Sequence, residues 1–187
     1  MTVPSPKAPF LIRAASPADA EALAAIYRAE VLGGTATFEL VPPDAAEMDR
    51  RRRELTDGGF PYLVAESGNT ILGYAYAGPY RLRPAYRFTV EDSIYVATSA
   101  RRQGVGHALL VALIDACAER GFRQMIAAIG DSANAASIAV HASAGFAHAG
   151  TLHQVGWKMG RWLDVVLMQR ALGPGNAAPP SEAAVTR

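Results

Sequence analysis

The sequence predicts an α+β domain: a mixed, mostly antiparallel sheet of six or seven strands with helices on both faces. β-rich runs recur along the chain, segments of helical periodicity interrupt them, and glycine, proline or capping residues mark most of the boundaries. Residues 10–14 are a short apolar run suited to a first strand. Ser16-Pro17-Ala18-Asp19 then reads as an N-cap, a proline at the first helical position and an acidic third position. The helix that follows carries Leu23, Ile26 and Tyr27 on one face. Residues 33–43 break the pattern, after which Asp44 caps a second helix through Met48 and Leu55 that ends at Asp57-Gly58-Gly59. Residues 62–67 and 71–80 are β-rich and meet at Gly68-Asn69, a pair suited to the positive φ angles of a tight hairpin, so they are expected to be adjacent antiparallel strands.

A basic loop at 81–87 leads into another expected strand at 88–97. Val105, Leu109, Leu113 and Cys117 fall in register for a helix over 105–120, with Gly121 where a C-terminal cap belongs. Residues 124–129 read as a buried strand. Asn134 caps a helix through Ala144, Gly145 closes it, and 146–155 with 163–172 complete the sheet. The expected domain is 10–172. Residues 1–9 are read as a flexible tail, and 173–187, rich in Ala, Pro and Gly without periodicity, as a disordered one.

Composition narrows the function. With 187 residues, 50% of them hydrophobic and 19% charged, the chain suits one ordinary globular domain. Eighteen basic against 17 acidic residues give a net charge of +1, so neither nucleic acid nor an anionic membrane is an expected partner, and any anion site must be local. The single cysteine, Cys117, excludes an internal disulfide framework and a Cys-based zinc site, and His107, His148 and His153 lack metal-ligand spacing; no metal is expected. Residues 1–9 lack the apolar core of a secretory signal, and no run approaches the ~20 apolar residues of a membrane span, so a cytoplasmic protein is expected.

The segment Ser93-Ile94-Tyr95-Val96, then Arg101-Arg102-Gln103-Gly104-Val105-Gly106, then a long helix, is a strand feeding a glycine-bearing turn at a helix N-terminus. Such a turn lets backbone N–H groups approach phosphate oxygens, and the two arginines add charge-assisted hydrogen bonds. On spacing alone a second reading stands beside this one, a tight turn with two solvated arginines. The dinucleotide fingerprint is incomplete, since no third glycine follows at the required spacing.

The order of neighbours adds more. After Arg-x-x-Gly-x-Gly come a long helix, a buried strand, Asn134, and His141-Ala-Ser-Ala-Gly145-Phe146. Together these resemble the GNAT superfamily of acetyltransferases, over roughly residues 12–172. Residues 80–87 with 89–96, and residues 154–164, are similar to the phosphinothricin and methionine-sulfoximine N-acetyltransferase group. The resemblance implies a sheet splayed in the middle, acetyl-CoA as cosubstrate, a homodimer, and acetylation of the α-amine of a small glutamate-like amino acid such as phosphinothricin, methionine sulfoximine or methionine sulfone. It implies that Arg101, Arg102, Gln103, Gly104, Val105 and Gly106 hold the CoA pyrophosphate and that Asn134 contacts the pantetheine or phosphate region. Leu82 and Arg83 lie at positions that vary within the group, which leaves the acceptor unspecified.

Acetyl transfer to an amine needs a neutral nucleophile, a polarised thioester carbonyl and a proton for the departing thiolate. Glu91 alternates with Ser93 and Tyr95 and is expected on their face of the strand; the resemblance makes it the general base, although its residue type alone equally fits a solvent-facing strand glutamate. Asp92 interrupts the apolar set Val90, Ile94 and Val96, predicting a bulge or an open strand edge at which the backbone N–H of Ile94 or Val96 holds the thioester carbonyl. His141 stands where many members of the superfamily have the tyrosine that protonates the thiolate; it is either that acid or a helix histidine bonded to a nearby carbonyl. Arg81, Arg83 and Arg87 offer guanidinium groups to an anionic acceptor, with Asp92 and Ser93 beside Glu91, unless the loop is simply solvated. Residues 35–39 and 158–162 either wall the acceptor pocket or form a dimer contact, and Trp157 and Trp162 are otherwise core. Two alternatives remain: the same chemistry on a protein N-terminus, a polyamine or another amino acid, and a CoA-binding module without turnover. The intact Glu91 and Asn134 speak against the second, and the basic loop speaks against a peptide groove.

Overall fold

Apolar alternation in the first residues of the domain forms β1 (Leu11–Ala14), the edge strand of the sheet. The computed structural model describes residues 9–180; of the tails read at 1–9 and 173–187, residues 1–8 and 181–187 lie outside the described residues. Ser16 opens a single 3-10 turn, its N–H donating to the Asp19 carboxylate at 2.7 Å, and α1 (Ala20–Gly33) continues from it. Asp44 caps α2 (Ala45–Asp57) by accepting from the Glu47 N–H at 2.8 Å. β2 (Tyr62–Ser67) and β3 (Thr70–Pro79) form the expected hairpin, but only Gly68 takes a positive φ, of 57°.

After the 80–88 loop come β4 (Thr89–Val96), α3 (Val105–Glu119), β5 (Gln124–Gly130) and α4 (Ala135–Ser143). The last hairpin is longer than its sequence pattern suggested. β6 (Ala147–Lys158) and β7 (Arg161–Ala171) turn at Met159-Gly160, where both residues have positive φ, and Trp157 pairs with Trp162 across the final rungs. Residues 173–180 were expected within a disordered tail; instead they form turns and bends held by Arg123, which donates to the Gly175 carbonyl at 3.4 Å and the Pro179 carbonyl at 3.2 Å.

The seven strands run in the order β1-β2-β3-β4-β5-β7-β6. All neighbours are antiparallel except β4 and β5, whose parallel ladder spans only Thr89–Asp92 against residues 124–127. Beyond Asp92 the two strands diverge, so the sheet is α+β and splayed in the middle. Side-chain alternation gives each face its own core. Leu23, Ile26, Tyr27 and Met48 from α1 and α2 cover Tyr62, Val64 and Tyr74. On the other face Leu109, Leu110, Leu113 and Cys117 of α3 pack on Ala75, Val90, Met125 and Ala127. Cys117 is thus a buried core thiol, as its spacing predicted. Trp157 and Trp162 are not core: they are more than half exposed and meet edge-to-face at 5.3 Å, while Gly156 and Lys158 on the opposite face of β6 are the buried positions.

Candidate active site

Where β4 and β5 part, backbone and helix N-termini converge on one cleft of about 500 Å³. Ile94, Tyr95 and Val96 form one wall, Arg101, Arg102, Gly104, Val105 and Gly106 form its floor, and Asn134 and His141 close it from α4. The loop ahead of α3 is shaped by two left-handed residues, Arg102 at φ 59° and Gly104 at φ 85°. Alternation of that kind turns successive N–H groups to one side, and α3 adds its unpaired first-turn N–H groups and positive dipole end. A Cβ on Gly106 would lie 3.4 Å from Val96 Cγ2, an ordinary contact distance, so the helix start sits directly beside the strand. Two arginines, a nest of N–H groups and a cleft of this volume running from the loop ahead of α3 to Asn134 and His141 fit a pyrophosphate with an attached arm.

Gln103 is turned away, donating to the Ser99 carbonyl at 2.8 Å, and braces the loop without bordering the cleft. Asn134 is both a cap and a wall: its Oδ1 accepts from the Ser137 N–H at 3.2 Å, and its Nδ2 donates to the Gly130 carbonyl at 3.3 Å. Glu30, Ser137 and Val140 also line the cleft and were not singled out from sequence, while Ala36 lines it from the 35–39 loop and His107, set aside as a metal ligand, lines it from α3. Ser137 and Val140 were within reach of helical spacing, since they share the face of α4 that holds Asn134 and His141. Glu30 was not, because α1 and its ion-pair partner Arg101 meet only in the folded chain.

Glu91 and Asp92 sit side by side on β4 and therefore face opposite sides of the sheet. Glu91 shares its side with Ser93, Tyr95 and the stacked tyrosines of β2 and β3. Burial pushes its carboxyl above the ordinary glutamate range, and the neighbouring charge of Asp92 adds to that. Asp92 was grouped with Glu91 and Ser93 as a contact for the acceptor. Instead it points to the α4 side, where its Oδ2 lies 3.0 Å from His141 Nε2. It marks an open edge, as the broken apolar pattern suggested, with no bulge against β3. Ser93 borders the cleft where the strands diverge.

Arg81, Arg83 and Arg87 are exposed on the 80–88 loop and do not border the cleft. Arg81 lies over the rings of Tyr80 and Tyr86 at 5.1 and 5.7 Å, and Arg87 over Phe88 at 4.5 Å. The 35–39 loop is bolted down from both sides. Tyr27 Oη and Thr37 Oγ1 are 2.7 Å apart, and buried Lys158 donates to the Thr37 carbonyl at 2.8 Å. Burial holds the Lys158 ammonium below the usual lysine range, against the pull of Glu30 and Glu39. Among the described residues no cluster of His, Cys, Asp and Glu is arranged to hold a metal, and no helix is long and apolar enough to cross a membrane.

This geometry has relatives. A family model described as the acetyltransferase (GNAT) domain matches residues 12–167. A phosphinothricin N-acetyltransferase of Alcaligenes faecalis is 54% identical over 162 residues, covering 87% of this chain and 82% of the relative. An L-methionine sulfoximine/L-methionine sulfone acetyltransferase of Pseudomonas paraeruginosa is 42% identical over 173 residues, covering 90% of this chain and 98% of that one. Among solved structures, a GNAT superfamily phosphinothricin acetyltransferase from Sinorhizobium meliloti in complex with acetyl-CoA superposes with a TM-score of 0.89 at 48% identity, covering 92% of this chain and 94% of the other.

Proposed function

The chain belongs to the GNAT acetyltransferase family, and from that premise we propose that it moves the acetyl group of acetyl-CoA onto the α-amine of a small glutamate-like amino acid such as phosphinothricin, methionine sulfoximine or methionine sulfone. The observation that carries this reading is Glu91, half-buried beside the open edge of β4, with a raised carboxyl and the cleft beginning two residues further on. The names of the relatives supply the acceptor class.

In this reading the nest at Arg102 and Gly104, with Arg101, holds the pyrophosphate of acetyl-CoA, while Asn134 and Ser137 flank its pantetheine arm. Backbone N–H groups at Ile94 or Val96, left unpaired by the divergence of β4 from β5, bind the thioester oxygen as it gains negative charge. Glu91 takes a proton from the acceptor's ammonium, directly or through water, and a raised pKa suits a base that must capture and then release it near neutral pH. His141 lies on the other side of the strand, beside the departing thiolate, and serves as the acid. The arginines of the 80–88 loop act at the acceptor's mouth, on the anionic group of an incoming glutamate analogue.

The reading extends to the whole chain. Residues 10–172 act as one catalytic domain in the cytoplasm, a setting that fits one free buried cysteine. A second copy covers the exposed apolar group formed by Leu152, Val155, Trp157, Met159 and Trp162, which is more than scattered surface residues ordinarily amount to. Thiol release from acetyl-CoA, measured with methionine sulfoximine, methionine sulfone, phosphinothricin and glutamate, tests the assignment. One analogue is expected to turn over with kcat/KM of about 10⁴ M⁻¹s⁻¹ or more, within the ordinary enzyme range. Glu91→Gln should lower kcat by about 10²-fold or more. Turnover of none of the four above background hydrolysis would remove the acceptor class and leave the family assignment standing.

A further inference from the structure

Both ring nitrogens of His141 face acceptors. Nδ1 lies 2.8 Å from the Ser137 carbonyl oxygen, and Nε2 lies 3.0 Å from Asp92 Oδ2. The Ser137 hydroxyl, at 3.4 Å from Nδ1, is too distant to compete, and an Nδ1 lone pair aimed at a carbonyl 2.8 Å away would be repelled. A carbonyl cannot donate, an ionised carboxylate cannot donate, and a neutral imidazole has a single N–H. Both bonds exist together only if the pair holds one proton more than neutral histidine and ionised aspartate would supply. That proton sits on Nε2, making an imidazolium, or on Asp92 with Nε2 accepting from it.

The pair is sheltered. The side chains are 5% and 2% exposed, and the Phe146 ring meets the imidazole edge-on at 5.1 Å. Asp92 Oδ1 has no hydrogen-bond partner among the described residues, so nothing else in the fold accounts for this buried carboxylate. Both residues border the cleft at the point where the strands diverge.

We propose that Asp92 is the positioning residue of His141, and that the two hold a shared proton beside the splayed strands for delivery to the CoA thiolate. The step rests on the acetyl-transfer reading above and balances as follows. Glu91 takes one proton from the acceptor's ammonium and passes it to solvent. The nitrogen lone pair forms the C–N bond, the C–S bond breaks with its electron pair on sulfur, and the Asp92–His141 proton goes to that sulfur. A second proton, shed by the nitrogen as the amide forms, restores the pair, so each turnover yields amide, free thiol and one proton.

Asp92 supplies the charge acting on the imidazole. From α3 the group facing the pair is Cys117, a thiol pushed by burial to about 12 and therefore neutral, while His107 lies at the cleft's rim on that helix. β5 brings Ala127 and Ile129, β7 brings Arg170, whose guanidinium is bound to the Ala144 carbonyl at the C-cap of α4, one turn beyond His141, and Glu91 senses Asp92 from the opposite face. Burial alone would lower the imidazole's proton affinity, but the hydrogen bond and charge of Asp92 with the Ser137 carbonyl outweigh it and raise it.

The test is ¹⁵N NMR of the full chain labelled at histidine, with Asp92→Asn as the isosteric variant. At pH 7 the wild type should show His141 protonated at both nitrogens, or Nδ1 protonated with Nε2 shifted by a shared proton. In Asp92→Asn the ring should be neutral, with its titration midpoint lower by about one pH unit or more. In the same variant kcat should fall about 10-fold or more, with its alkaline limb moved to lower pH and the KM for acetyl-CoA changed less than about 3-fold. A plain neutral ring in the wild type overturns the proposal, and that spectrum needs neither variant nor acceptor. Unchanged kcat and pH profile in a folded Asp92→Asn protein overturn it equally. Failure of the acceptor assignment would appear only in the turnover panel.

Discussion

Arg13 on β1 reaches in two directions, donating to both oxygens of Asp19 at 2.8 Å and to Glu66 on β2 at 2.6 Å. Asp19 also accepts from the Ser16 N–H, so one buried carboxylate ties the first strand to the start of α1. The Arg13 bonds, opposed by burial and aided by Ser16, hold its pKa down to about 2 from 3.8. A carboxyl depressed on folding contributes fully above its unfolded value and loses that contribution as pH falls toward the folded one. Asp19→Asn should therefore cost about 2 kcal/mol at pH 7, with the gap to wild type closing between about pH 5 and pH 2, as read by urea unfolding midpoints. A gap independent of pH would mean the carboxylate's charge is not what matters. Residues 16–19 were legible because a capping box is local. The distant partners were not: Glu66 is 53 positions from Arg13, and His141 is 49 from Asp92. Asp92 could be seen to disturb a strand, but the histidine that explains it is brought there only by the fold.

Elements meet the cleft through glycines. At the end of β5, a Cβ on Gly130 would fall 2.4 Å from the Thr35 carbonyl oxygen and 3.2 Å from that of Ala36, so the 35–39 loop lies directly on the strand. Those atoms are backbone and cannot rotate aside. Gly130→Ala should destabilise the protein by about 1–3 kcal/mol. Because Ala36 lines the cleft, it should also raise the KM for acetyl-CoA. Gly33→Ala is the control, in the last turn of α1 with nothing within 4 Å of the new Cβ; it should be neutral or stabilising by up to about 1 kcal/mol. Equal losses for the two would break the link between loop seating and cleft. The helices, their caps and the first hairpin were readable from periodicity and turn residues. Seating of the 35–39 loop was not, because it depends on Gly130, Gly156 and Lys158, each a residue whose type carries no periodic signal. The last hairpin was read short for a related reason: its buried face there is carried by Gly156 and Lys158, while the large apolar residues Trp157 and Trp162 pair on the exposed face, so residue type does not mark the buried positions.

At the scale of the molecule, the sheet is two antiparallel halves, β1 to β4 and β5 to β7, joined by a four-residue parallel ladder. Elsewhere neighbouring strands pair with register shifts at Ala65/Glu66, His148/Gly150 and Leu152/Gly156, and the place where two neighbours part altogether lies between the facing edges of β4 after Asp92 and β5 after Ala127. Backbone groups left without a partner inside a protein are costly unless water or a ligand meets them. The net charge of +1 gives no long-range field to draw a polyanion in, so affinity for acetyl-CoA must come from this edge and the loop at Arg101 and Arg102. Hydrogen exchange followed by mass spectrometry should then show that CoA slows the amides of 93–106 and 128–137 several-fold or more, while β1, β2 and α2 are unchanged. If protection instead spreads evenly over both halves, the ligand tightens the whole sheet and the open edge is not its chief point of contact. Protection confined to 101–106, with 93–96 unaffected, would leave the phosphate nest standing but remove the β4 edge as the place where the thioester is held.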